Sequence, residues 1–327
     1  MKICVIYRNI NVGFSIHKVI STTIEKLKCR LSIEEIFLPS PYANILSMFR
    51  NGFFARNKKA TVYHISGDVH YLSYFLLGRT TIVTVHDIMY FSYLSGIKKM
   101  IWKRLYIDSL SYCKHVVFVS DYAKAQVVEY LDLPEQKISI IPNPVSPLFN
   151  YQEKTFNSEK PTILHIGTLK RKNLQRTIEA ISTLSCHLRI VGKLDTETIS
   201  QLTAKGIDYS NVVGLSDIEI VNEYQNADII NFPSLFEGFG MPIIEGQKVG
   251  RVVLTSNRSP MKEVAGNQAA FLVDPENVDS IRQGYKAIIE DSLLRESLIA
   301  EGQKNSARYD AEKIAEMYSN LYKSIIK

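Results

Sequence analysis

Short apolar, β-branched runs alternate with helix-patterned stretches along the whole chain, and this rhythm restricts the fold more than any other feature. In the first half the strand candidates are Ile3–Tyr7, Ile33–Phe37, Val62–Ile65, Thr81–Val85, Val116–Val119 and Ile138–Ile141. They are short and mostly apolar, as strands covered on both faces are. Helices are expected between them, among them Ser15–Lys28 and Tyr122–Leu131, the second with Ser120 or Asp121 as its N-cap. Around Pro142-Asn143-Pro144 the rhythm stops, and 142–160 reads as a linker. It restarts with a strand at Thr162–Ile166, a helix at Asn173–Leu184, strands at His187–Val191, Ile229–Phe232, Val252–Thr255 and Ala270–Val273, and a last helix at Ala307–Lys327 with Asp310 as N-cap. Strand-helix alternation of this kind predicts parallel sheets with crossover helices. A chain of 327 residues holds two such units. The expected fold is therefore α/β, with two doubly wound, Rossmann-like domains at 1–150 and 151–327 and a ligand cleft where the C-terminal strand ends face each other.

Charge separates the halves. Residues 1–150 carry 18 Lys/Arg against 10 Asp/Glu, whereas residues 151–327 carry 21 against 23. The first half is thus expected to meet something anionic, with nucleic acid, phospholipid and diphosphate all open on charge alone. No nucleic-acid recognition motif accompanies the dispersed cations, so that partner is not expected. The four cysteines, Cys4, Cys29, Cys113 and Cys186, are scattered, which argues against a disulfide framework or structural zinc and suits a reducing compartment. Met1–Arg8 is too short an apolar run for a signal peptide, and no uninterrupted apolar stretch approaches the roughly 18 residues of a spanning helix. A cytoplasmic protein, touching a membrane only at its surface, is expected.

Chemistry is most legible in Phe232-Pro233-Ser234-Leu235-Phe236-Glu237-Gly238-Phe239-Gly240-Met241-Pro242-Ile243-Ile244-Glu245. The segment follows a buried strand, turns on two glycines and opens a helix with Pro242 at an early position, where its missing N–H costs nothing. Free N–H groups at such a helix start attract an anion. Two glutamates seven residues apart around Gly-Phe-Gly-x-Pro resemble the donor-binding motif of retaining glycosyltransferases of family 4, which have the GT-B fold. The resemblance implies that Glu245 holds the ribose hydroxyls of a nucleotide, that Glu237 sits beside the transferred sugar, and that the backbone of Gly238, Phe239, Gly240 and Met241 approaches the sugar or diphosphate. Ile163-Leu164-His165-Ile166-Gly167-Thr168-Leu169-Lys170-Arg171-Lys172-Asn173-Leu174 is similar to the family's first strand-loop of the C-terminal domain. Lys172 then matches the lysine that contacts the diphosphate, with Arg171 beside it and Gly167 in the turn. Here the chain is one residue shorter than the common pattern, and Thr168 stands where many members place a second arginine. The resemblance further implies retention of anomeric configuration and a final helix, 307–327, that crosses back onto the first domain.

In the first half, Gly13, in the loop after the first strand, is a candidate donor contact where the family commonly has two glycines. Val85-His86-Asp87 resembles the family's His-Asp pair, whose histidine reaches the sugar; a hydrogen-bonded loop histidine is the alternative on the residues alone. Tyr90 follows it as a candidate wall of the acceptor site. Lys98, Lys99, Trp102, Lys103 and Arg104 combine cations with apolar groups at helical spacing, which reads either as a surface for anionic lipid or as a half-buried helix with a solvated face. No Asp-x-Asp occurs, so no metal and no cofactor are expected. The expected function is transfer of a sugar from a UDP- or GDP-linked donor to a saccharide or lipid-linked saccharide in cell-surface glycan assembly. A nucleotide-sugar epimerase or hydrolase of the same fold, and a non-catalytic glycan- or nucleotide-sugar-binding scaffold, are the alternatives.

Overall fold

The structure is a computed structural model and describes residues 1–12 and 14–326. It divides into two compact units: residues 1–144 with the C-terminal segment from Ala311, and residues 145–310.

The first unit is a six-stranded parallel sheet built from β1 (Lys2–Tyr7), β2 (Ser32–Phe37), β3 (Val62–Ile65), β4 (Thr81–Val85), β5 (His115–Phe118) and β6 (Ile138–Ile140), in the order β2-β1-β3-β4-β5-β6. Strand order reverses between β1 and β3, so the loops after these two strands diverge and leave a crevice. One face of the sheet is covered by the helices Phe14–Lys28 and Ala311–Ser324, where Ile3, Val5 and Tyr7 meet Ile20, Ile24, Ile314 and Tyr322. A buried polar chain fixes the C-terminal helix. His64 Nδ1 lies 2.6 Å from the Tyr322 hydroxyl and Nε2 lies 2.8 Å from Thr84 Oγ1, which is itself 3.1 Å from the Tyr318 hydroxyl. Burial pushes the His64 imidazole down to about 3, so it is neutral.

The second unit holds β7 (Thr162–Ile166), β8 (His187–Val191), β9 (Tyr209–Val212), β10 (Ile229–Phe232), β11 (Val252–Ser256) and β12 (Phe271–Val273), all parallel, in the order β12-β11-β10-β7-β8-β9. Its reversal lies between β7 and β10. The helix Met241–Lys248 packs directly on this sheet because Gly246 has no side chain; a Cβ there would stand 2.7 Å from Ile230.

Three expectations need correction. The last helix is not continuous over 307–327. The helix Ser292–Ser306 runs into a 3₁₀ turn at Ala307–Tyr309, Asp310 is extended, and a new helix spans Ala311–Ser324. The break follows from pairing: Val145 N–H donates to the Tyr309 carbonyl at 2.8 Å, which draws Asp310 into a bridge with Val145. Nor is 142–160 a free linker. Phe149 is buried edge-on against Tyr224 at 5.1 Å, and Lys154 pairs with the buried Asp228, so the segment is fastened to the second unit. The edge strand β9 was not expected, because Tyr-Ser-Asn-Val lacks an apolar run. Ser120, rather than Asp121, caps the helix Asp121–Val128 through its side chain and the Ala123 N–H.

Candidate functional site

The two motifs of the second half fall on the loops after β7 and β10, the strands that flank the reversal of that sheet. After β7 the chain turns at Gly167, whose φ of +88° an L side chain resists and whose missing Cβ leaves room for the Lys172 stem, 3.2 Å from where that atom would be. A 3₁₀ turn at Lys170–Lys172 follows, and Asn173 takes a left-handed conformation at φ 67°. The buried Asn173 amide donates to the carbonyls of Pro233 (2.9 Å) and Pro275 (2.6 Å), which ties the cationic turn to the loop after β10. Leu235 N–H closes the connection from the other side by donating to the Arg171 carbonyl at 2.8 Å.

This latch brings the candidate side chains together. Glu237 is buried and bridges two cations: Arg171 Nη1 at 2.6 Å from Oε2 and Lys172 Nζ at 2.7 Å from Oε1. Ser234 Oγ donates to Oε1 at 2.6 Å. Lys172 also lies over the face of Phe232, 4.5 Å from the ring centre. Burial pushes the Lys172 ammonium down from its ordinary value against the attraction of Glu237, and the nearby Glu245 adds to that attraction. Two cations against one carboxylate leave the loop pair with a surplus positive charge.

From there Gly238 and Phe239 lead to Gly240, whose φ of +113° turns the chain into the helix Met241–Lys248, with Pro242 in its first turn. Phe239 is buried, edge-on to Tyr309 at 5.7 Å, so the ring anchors the loop. Glu245 accepts a hydrogen bond from the hydroxyl of Tyr224, a fully buried residue of the helix Asp217–Asn226. Thr168 does not serve as the second cation that the resemblance suggests for its position. Its hydroxyl donates to the Lys193 carbonyl at 2.7 Å, and Asn211 donates to the Gly192 carbonyl at 2.7 Å. The loops after β7 and β8 and the strand β9 are joined in this way.

Three residues with structural roles here were not expected: Asn173, Ser234 and Tyr224. Ser234 and Asn173 lie inside the quoted motifs, but nothing in the string marks them as latches. Tyr224 lies outside both, and only its place on the buried stripe with Val221 announced it.

The first unit has its own crevice at the β1/β3 reversal. Arg8, after β1, pairs with Asp68, after β3, at 2.8 Å, with side chains 33% and 47% exposed. Both line a cavity of about 530 Å³ together with Asp87, Tyr90, Lys98 and Trp102. His86 closes β4; its Nε2 lies 3.1 Å from the Ser66 carbonyl, and burial holds the ring below its ordinary pKa. A carbonyl partner requires the hydrogen on Nε2, so the neutral ring presents Nδ1 as an acceptor. Gly13 lies outside the described residues.

Of the basic segment, Lys98 and Lys99 are on the helix Gly96–Trp102, while Lys103 and Arg104 follow in a π-turn, 2.6 and 3.7 Å from Asp108. Trp102, the last residue of that helix, is half-buried. It stacks on Tyr106 at 4.7 Å and on Phe91 at 5.5 Å and lines the cavity. Lys99 lies over the Phe91 ring at 4.7 Å. Among the described residues no group of three or more His, Cys, Asp or Glu side chains is arranged to hold a metal ion, and no helix is long and apolar enough to cross a membrane.

Comparison with known proteins bears on the family and the fold. Residues 149–305 match the family described as glycosyl transferases group 1, and residues 29–147 match glycosyltransferase family 4. The O-antigen chain mannosyltransferase B of Escherichia coli is 26% identical over 300 residues, which cover 84% of this chain and 77% of that protein. Among solved structures, the sucrose-phosphate synthase of Thermosynechococcus elongatus superposes with a TM-score of 0.83 at 14% identity, covering 99% of each chain. Anabaena Alr3699/HepE in complex with UDP and glucose gives 0.80 at 14% identity, covering 99% of this chain and all of that one.

Proposed function

The chain belongs to the family 4 glycosyltransferases of the GT-B fold, and from that membership we infer that it moves a sugar from a UDP- or GDP-linked donor to a saccharide or lipid-linked saccharide, with retention and without a metal, in the assembly of a cell-surface polysaccharide. The observation that carries this reading is the Arg171-Lys172-Glu237 cluster beside the start of the helix that bears Glu245. A diphosphate needs fixed positive charge and backbone donors, and both stand at this one loop pair. Glu245 lies beyond them along the same helix, within reach of the ribose of a nucleotide whose phosphates meet the cations. The mannosyltransferase relative and the UDP-bound neighbour support a nucleotide-sugar donor and a glycan product, and leave open which of the two nucleotides this chain takes.

In the reaction the acceptor hydroxyl oxygen bonds to the anomeric carbon as the bond from that carbon to the diphosphate breaks. The acceptor proton passes to an oxygen of the departing phosphate. A front-face route of this kind suits the site better than double displacement, because Glu237 is already engaged: Oε1 by Lys172 and Ser234, Oε2 by Arg171. A carboxylate held by three donors is a weak nucleophile. As the diphosphate departs, Arg171 and Lys172 stabilise the charge that grows on it. His86, with Nδ1 as acceptor, is assigned to the transferred sugar, and the cavity behind Tyr90 to the acceptor.

The test is incubation with UDP- and GDP-sugars and a saccharide acceptor, in chelator, with the anomeric signal of the product read by NMR. Release of one nucleoside diphosphate matched by a product of retained configuration supports the reading. Inverted product, dependence on added metal, or epimerised donor without transfer overturns the corresponding part.

A further inference from the structure

A buried polar chain runs through the second unit beneath its loop pair. It joins His165 on β7, Asn231 on β10, Thr177 on the helix Leu174–Ile181 and Tyr285 on the helix Val278–Glu290, each fully buried. Its hydrogens are fixed by elimination. The Asn173 carbonyl only accepts, so the Thr177 hydroxyl donates to it at 3.2 Å. Thr177 then accepts from the Asn231 amide nitrogen at 3.0 Å, and the Asn231 oxygen accepts from the Tyr285 hydroxyl at 2.6 Å. The second Asn231 N–H donates to His165 Nδ1 at 2.8 Å, which leaves the hydrogen of the neutral ring on Nε2.

Among the described residues that buried Nε2–H closes no hydrogen bond. A buried donor left unmade is costly and calls for a reason. Its surroundings supply one. Burial pushes the ring down to about 3, the Lys172 ammonium pushes the same way, and the Gly167 backbone acts against both. The ring is therefore in electrostatic contact with the turn glycine and with the cation whose stem occupies the space of the missing Gly167 Cβ. Asn173, which receives the Thr177 hydroxyl, also latches the two loops through Pro233 and Pro275, so the chain ends at the frame of the site.

Resting on the reading of this loop pair as a diphosphate site, we propose that His165 is a positioning residue for it: gripped by Asn231, the ring presents Nε2–H to the underside of the Gly167 turn and so sets where Lys172 lies. An apolar side chain would fill the same space and leave Asn231 short of an acceptor and the turn without a donor beneath it. Neutrality is part of the role, because an imidazolium at this place would oppose the Lys172 ammonium. Tyr285 acts at the far end, where its hydroxyl holds the Asn231 amide in the orientation that His165 needs.

The experiment compares the full chain with His165→Leu, His165→Asn, His165→Gln and Tyr285→Phe, reading UDP and GDP affinity by calorimetry, donor and acceptor KM, and melting temperature. Asparagine keeps an acceptor at the level of Nδ1, whereas glutamine carries an N–H out to the level of Nε2. Leucine and asparagine should weaken diphosphate binding about tenfold, glutamine about threefold and Tyr285→Phe about twofold to threefold, the range of single hydrogen bonds. Acceptor KM should stay as it was, and asparagine should recover melting temperature better than affinity. Recovery of affinity by asparagine as full as by glutamine overturns the proposal, as do folded variants that melt lower yet bind as the wild type does. A measurement on the wild type needs no variant: the ¹⁵N-labelled His165 ring should be the Nε2–H tautomer, and its signal should move on saturation with the diphosphate. The Nδ1–H tautomer, or a signal that stays in place, overturns the proposal. A folded wild type that binds neither diphosphate removes the donor reading and this role together, whereas binding by the wild type with unaltered variants removes this role alone.

Discussion

The two units place a charged pair at the same topological position, the loops that diverge where strand order reverses, and they use it differently. In the second unit Arg171 and Lys172 share one buried carboxylate, and Asn173 and Leu235 lock the backbone beneath them. In the first unit Arg8 faces Asp68 one to one, largely in solvent, beside an apolar cavity. An exposed pair of this kind contributes little and is readily rearranged. The buried cluster carries surplus positive charge in a fixed frame, as a diphosphate site requires. The difference teaches that the second unit's loop pair is built rigidly from few residue types, as the proposed donor site needs, while the first unit's crevice is shaped by packing.

The largest expected effect tests whether the two frames are equally acid-labile. His64 in the first unit and His165 in the second are both pushed down to about 3 by burial. The unfolded chain takes up these protons near pH 6.5, while the fold refuses them until about pH 3. Their contribution to stability is therefore complete above about pH 6.5 and is lost as pH falls from there towards 3, several kcal/mol for each group. Thermal unfolding followed from pH 7 to 4 should show melting temperature falling for both units. A transition that stays flat over this range contradicts the neutral, buried assignment.

Lys172→Ala is next. It should lower turnover by roughly 10²–10³-fold, as loss of a fixed charge at a developing anion does, while circular dichroism stays native. A change of less than tenfold would erase the contrast between the two crevices. Smaller again, Tyr224→Phe should weaken nucleoside diphosphate binding about threefold to tenfold, the worth of one hydrogen bond, by releasing Glu245 rather than by touching the ligand. The smallest effect belongs to the first unit. Tyr90→Ala should raise the acceptor KM about threefold to tenfold, in line with one aromatic contact, and leave donor affinity as it was. A matching loss of donor affinity would show that the assignment of ligands to units is wrong.

Most of the fold was legible because a strand covered on both faces must be apolar. The strands at Val62–Ile65, Thr81–Val85, Thr162–Ile166, His187–Val191 and Ile229–Phe232 stand as their composition requires. β9 was hidden because an edge strand has one wet face, and Tyr-Ser-Asn-Val satisfies it with polar residues. Asp310 was legible as an N-cap, and the helix does start at Ala311; the 3₁₀ turn before it was not, because the bond from Val145 N–H to Tyr309 that accompanies it joins residues far apart in the chain. At the site, Glu237, Arg171 and Lys172 were visible from motif and charge. Asn173 and Tyr224 were not, since a left-handed turn that donates to Pro275 and a tyrosine that orients a glutamate are set by tertiary contact. For Trp102 the two sequence readings, a lipid-facing surface or a half-buried helix, differ in packing that spacing does not encode; its ring stacks on Phe91 and Tyr106.

The most direct test of the central claim is calorimetric titration of UDP and GDP into the wild type and into Glu245→Ala. One diphosphate should bind, and the substitution should weaken it about tenfold to a hundredfold, the cost of losing a charged hydrogen-bond acceptor. Failure of a folded wild type to bind either diphosphate, or equal binding by both proteins, would contradict the assignment of the second unit's loop pair as the donor site.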